Sequence, residues 1–134
     1  MKKNIFVVLL VLQFIVLAAC GSEQASLRLA NRSDIAAVSL YYDSKSETIT
    51  DSKEIDRLFA ELSAVSNKVK ESYNDIPTTD GYLKIVFKLT EERSTEPVYV
   101  FKDDAGFYVE QAYNGIFSID EECYSTLLGF ALGM

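Results

Sequence analysis

Near its start the chain carries a long apolar stretch, and then it changes character. Residues 5–17 are apolar except for Gln13, preceded by Lys2 and Lys3 and followed by the small pair Ala18 and Ala19. A basic start, an apolar run and a small-residue end form the layout of an export signal, so residues 1–19 read as a signal peptide. As a helix, residues 5–19 would rise roughly 22 Å against a hydrocarbon core of about 30 Å, which is short for a permanent span.

Beyond that point apolar positions recur with the short periods of a folded domain. In residues 35–42 a period of two separates Ala36, Val38, Leu40 and Tyr42 from Ile35, Ala37, Ser39 and Tyr41, predicting a strand whose first set faces the core. Ile55, Leu58, Phe59, Leu62 and Val65 then fall at helical spacing behind Asp51, with Glu54 three residues on as a capping box. Lys53, Asp56, Arg57 and Glu61 make that helix's solvated side. Residues 67–81 are polar and carry turn signals at Asn74-Asp75-Ile76-Pro77 and Asp80-Gly81, with a short edge strand expected at 68–72.

Leu83, Ile85, Phe87 and Leu89 alternate with Tyr82, Lys84, Val86 and Lys88, a second clear strand. Two aromatic and β-branched runs, 98–102 and 107–112, flank Asp103-Asp104-Ala105-Gly106 and predict a hairpin. Pairing Lys102 with Phe107 across that turn puts Tyr99, Phe101 and Tyr108 on one face and Val98, Val100, Phe107 and Val109 on the other. Asn114-Gly115 reads as a turn into a short strand, and Ser118 with Glu121 as the cap of a last helix carrying Tyr124, Leu127, Leu128 and Ala131 and ended by Gly133. The expected fold is α+β: a mainly antiparallel sheet of four to six strands with two helices, a single domain over residues 27–134.

Leu17-Ala18-Ala19-Cys20, at the end of the apolar run, resembles the lipobox of bacterial prolipoproteins. The resemblance implies that the Cys20 thiol receives a diacylglyceryl group, that a signal peptidase recognises Leu17, Ala18 and Ala19 and cuts before Cys20, and that the protein is held at the extracytoplasmic face of the cell membrane. Two acyl chains, at about 0.8 kcal/mol per buried methylene, make a stable anchor where one is marginal. Residues 20–26 are then the lipidated cysteine and a polar, flexible tether. The segments Ile49-Thr50-Asp51 with Ile55 and Leu58, the alternation over 83–89, and Gly115-Ile116-Phe117-Ser118-Ile119 are similar to small Gram-positive lipoproteins of the YhfM-like type. That likeness rests on caps and core positions, so it implies a shared fold and carries no catalytic residue over.

Composition narrows the chemistry. The net charge is −7, and loss of Lys2 and Lys3 with the signal makes it two charges more negative, which argues against nucleic acid or an anionic membrane surface as a charge-driven partner. There is no histidine, so Ser-His-Asp and Cys-His arrangements and the common histidine-containing zinc sites are excluded. No glycine-rich phosphate loop is present, and no cofactor or metal is expected. Cys123, the one cysteine left after lipidation of Cys20, reads as a small buried hydrophobe.

Acidic neighbours at Asp103-Asp104, Glu91-Glu92 and Glu121-Glu122 keep a small envelope hydrolase in view, although each fits a turn, a loop or a helix start. About 115 residues make one lobe, too few for a two-lobed solute-binding protein. The remaining feature is aromatic: eight tyrosines, eight phenylalanines, and a hairpin with two apolar faces. A sheet covered on one side alternates apolar with polar, so Tyr99, Phe101 and Tyr108 are either core or a candidate partner patch. The expected function is a non-enzymatic binding module presented to an envelope or secreted protein, an inhibitor or immunity-type role included.

Overall fold

A computed structural model describes residues 25–133. The expected signal peptide, the lipobox residues Leu17, Ala18 and Ala19, and Cys20 lie outside the described residues.

A 3-10 turn (Arg32–Asp34) leads into β1 (Ile35–Tyr42) and β2 (Lys45–Ile49), followed by α1 (Ser52–Ser63) and β3 (Lys68–Lys70). Then come β4 (Leu83–Leu89), β5 (Val98–Lys102), β6 (Phe107–Gln111), β7 (Gly115–Ile119) and α2 (Glu121–Leu132). All the strands join one sheet in the order β2-β1-β4-β5-β6-β7-β3, and every pairing is antiparallel. The fold is α+β, as expected, but the sheet has seven strands rather than four to six. The added one is β2: four of its five side chains are exposed and only Ile49 is buried, so a polar edge strand left no apolar alternation to read.

Both helices pack on one face. Val38, Leu40, Leu83, Ile85, Phe87, Val98, Val100, Val109 and Phe117 form the sheet side of the core, and Ile55, Leu58, Leu62, Tyr124, Leu127 and Ala131 the helix side. The rings of Phe59 and Phe87 meet edge-on at 6.4 Å, and those of Phe107 and Tyr124 at 4.9 Å. The hairpin register is the expected one, with Lys102 opposite Phe107, Phe101 opposite Tyr108 and Val100 opposite Val109. Its turn is held by Asp103, whose Oδ1 accepts from the amides of Ala105 (2.8 Å) and Gly106 (3.1 Å).

Two local expectations are corrected. A bulge between Ile35 and Ala37 adds a residue to β1, so Ile35 turns inward and Ala36, expected in the core, is exposed. The last helix is capped by Asp120, whose side chain accepts from Cys123 N (2.7 Å); Ser118 belongs to β7, its amide donating to Asn67 O. The turn into a short strand read at Asn114-Gly115 is where β6 passes into β7, with Tyr113 its left-handed residue (φ 58°). Asn114 and Gly115 have other work there: the Asn114 amide holds the amino-terminal segment, and a Cβ on Gly115 would stand 2.7 Å from Cε of Lys68. The cap of α1 is as expected, with Asp51 accepting from Glu54 N at 3.0 Å.

Candidate functional site

The face of the sheet away from the helices holds the hairpin's aromatic set. Period two along β5 and β6 sends Tyr99, Phe101, Tyr108 and Glu110 to this side, and register places Tyr99 opposite Glu110 and Phe101 opposite Tyr108. Residues 71–82, the polar stretch between β3 and β4, cross this face, with the Tyr82 ring edge-on to Tyr99 at 5.1 Å. Tyr99 is 3% exposed and Phe101 6%, so neither belongs to an open patch; Tyr108 is half-buried, its ring 5.5 Å from Phe101.

Between residues 69–79 and the hairpin lies a cleft of about 740 Å³. Phe101 and Tyr108 supply its aromatic floor, and Ser72, Thr79 and Glu110 its inner polar groups. Glu110 is buried and accepts a hydrogen bond from Ser72 Oγ at 2.7 Å, which ties the crossing segment to the sheet. Thr79 Oγ1 is buried with no hydrogen-bond partner among the described residues. The Thr79 residue lines the cleft, but its Oγ1 is closed off from it. Desolvation raises the Tyr99 phenol pKa, with Tyr82, Asp75 and Glu110 adding in the same direction, so it stays a neutral hydroxyl at physiological pH.

The crossing segment is tied at a second point. Tyr113 Oη donates to Asp75 Oδ1 at 2.7 Å, and that hydrogen bond, with the charge of Asp75, raises the Tyr113 phenol pKa. Beside this contact the amino-terminal segment is fastened. Arg28 N donates to Gln111 Oε1 (2.7 Å), Gln111 Nε2 donates to Arg28 O (2.9 Å), and Asn114 Nδ2 donates to Ser26 O (2.9 Å). Gln111 sits on the helix-side face of β6 and behaves there as a one-residue strand partner for Arg28.

The acidic pairs are scattered rather than gathered. Asp103 is engaged in its own turn, Glu91 pairs with Arg93 (2.6 Å), and Glu121 and Glu122 occupy the first turn of α2; of these only Asp103 reaches the cleft. Cys123 lines a separate hollow of about 370 Å³ between the two helices' ends, and its thiol is pushed up to about 11 by burial, with Glu61 and Asp120 adding to it. A thiol held protonated at neutral pH is a poor nucleophile.

Sequence reasoning found Tyr99, Phe101 and Tyr108 but not Ser72, Thr79, Glu110 or Gln111. A signal for two of these was present, since Glu110-Gln111 are adjacent polar residues in an otherwise apolar strand and period two puts one on each face. Nothing in the local pattern marks Ser72 or Thr79.

The DUF5301 family model, described as "Domain of unknown function (DUF5300)", matches residues 23–118. No curated protein matches the chain. Among solved structures, the NMR structure of a protein from Ruminococcus gnavus is similar, at 20% identity with a TM-score of 0.62, over 73% of this chain and 98% of that one. At that identity the likeness is one of fold. Among the described residues no helix is long and apolar enough to cross a membrane.

Proposed function

From the premise that the chain belongs to the DUF5301 family, we propose that it is a membrane-anchored lipoprotein, acting as a non-enzymatic binding module at the extracytoplasmic face. The anchor is two acyl chains on Cys20, exposed by cleavage after Leu17-Ala18-Ala19, and its support is the signal-like segment running directly into the lipobox. The ligand site is the cleft beneath residues 69–79, and its ligand a segment of an envelope or secreted protein.

One observation carries the site: a cleft of about 740 Å³ with an aromatic floor of Phe101 and Tyr108 and the polar groups of Ser72 and Glu110 at its inner side. Its size and its mixture of apolar walls with few polar groups are those of a recognition pocket. Tyr108 and the exposed Tyr73 give it rigid amphipathic contact surface at low entropy cost. Confinement to a surface raises effective concentration, so modest intrinsic affinity suffices for a partner in the same envelope.

The test joins mass spectrometry with crosslinking in intact cells. Membrane fractions should yield a mature amino terminus at diacylated Cys20, and Cys20→Ala should release the protein. A photo-crosslinking residue at Tyr108 should capture one discrete envelope or secreted partner, and the same probe at Ser46 on the polar edge strand should not. Tyr73→Ser, at an exposed position lining the cleft, should leave folding intact and reduce capture about tenfold, the loss of one aromatic contact. An unlipidated amino terminus removes the anchor; equal labelling from Tyr108 and Ser46 removes the cleft.

A further inference from the structure

Building on the anchor proposed above, we infer that the end of the domain carrying the β6–β7 turn rests against the bilayer, with Ile76 and Tyr113 seated in the lipid headgroup region.

The placement of the amino-terminal segment sets the geometry. Ser26 is fastened to Asn114 and Arg28 to Gln111, so the chain reaches the folded domain beside the β6–β7 turn. Six residue steps separate Cys20 from Ser26, a maximum reach of about 22 Å however the intervening chain is arranged. A domain of this size has a radius of gyration of about 13 Å and a breadth well beyond that leash. The β6–β7 end therefore stays nearest the lipid. The β5–β6 turn is at the other end of the same five-residue strand, about 17 Å away along it.

That near end presents the right chemistry. Tyr113 is 62% exposed and Ile76 54%, although both are residues that favour cover. They are held together, because the Tyr113 hydroxyl grips Asp75, the neighbour of Ile76. Tyr113 also keeps a left-handed backbone (φ 58°) that a tyrosine seldom adopts. Tyrosine is enriched where water meets hydrocarbon, its ring in the apolar layer and its hydroxyl in the polar one. Arg28, fastened to Gln111 through its backbone, is exposed and supplies a cation for lipid phosphate on a chain of net negative charge.

The protein contains no tryptophan, so a single introduced one is a clean reporter. The mature lipidated chain carrying Ile76→Trp, Tyr113→Trp or, as the distant control, Asp104→Trp is bound to vesicles of phosphatidylethanolamine and phosphatidylglycerol. Emission from the first two should shift to the blue and be quenched by lipids brominated near the headgroup, at least threefold more than from the Asp104 variant. Equal emission from all three on vesicles that carry the protein overturns the orientation and leaves the anchor standing. Wild-type chain that fails to float with vesicles overturns the anchor and this inference together. A shift that requires other envelope proteins in the membrane makes this end a protein contact and overturns the lipid reading.

Discussion

Tyr99 and Tyr108 stand on the same face of one hairpin, and their fates differ because of what crosses above them. Tyr99 is enclosed by Tyr82 and residues 71–82, whereas Tyr108 borders the cleft. Tyr99→Ser should therefore cost about 3 kcal/mol of stability in urea unfolding, the loss of a buried aromatic ring, and Tyr108→Ser about 1 kcal/mol. Equal costs for the two would show that the crossing segment does not seal Tyr99. The pattern of residues identified this face and its members, since period two follows from backbone geometry alone. It could not say whether the face was core or surface, because that depends on a polar stretch whose own residues carry no apolar period.

At the level of elements, sequence legibility tracked burial. The strands β1, β4, β5 and β6 and both helices announce themselves because one side of each meets the core. The polar edge strand β2 does not, since only Ile49 is buried, and the bulge at Ala36 is invisible to a period count. Capping chemistry was half legible. Asp51 caps α1 as its spacing with Glu54 suggests, but α2 starts two residues later than Ser118 would place it, because Ser118 is drawn into β7 by the Asn67 carbonyl. The expected consequence is a contrast in thermal unfolding: Asp120→Ala loses about 1 kcal/mol through the orphaned Cys123 amide, and Ser118→Ala loses no helix cap and stays within about 0.5 kcal/mol of the native chain. A reversed order would return the cap to Ser118.

For the whole molecule, Gln111 joins the amino-terminal segment to the sheet. Its side chain is 2% exposed and exchanges two hydrogen bonds with the backbone of Arg28, beside the buried Leu27. Gln111→Leu leaves those two backbone groups without their partner, so unfolding should cost about 2 kcal/mol less. Hydrogen exchange at residues 25–30 should quicken, while the amides of β4, β5 and β6 remain the slowest. Unchanged protection at Arg28 would sink this role for Gln111. The sequence by itself determined the periodic elements, the hairpin register, the α+β class and the exclusion of histidine chemistry, because side-chain period and residue chemistry are properties of neighbours along the chain. Only the tertiary structure decided the course of residues 71–82 over the helix-free face, the cleft with Ser72, Thr79 and Glu110, and the fastening of Ser26 and Arg28 beside the β6–β7 turn. Each of these joins residues far apart in sequence, by contacts of 38 to 88 residues' separation where they are hydrogen bonds, and no local pattern encodes such a distance.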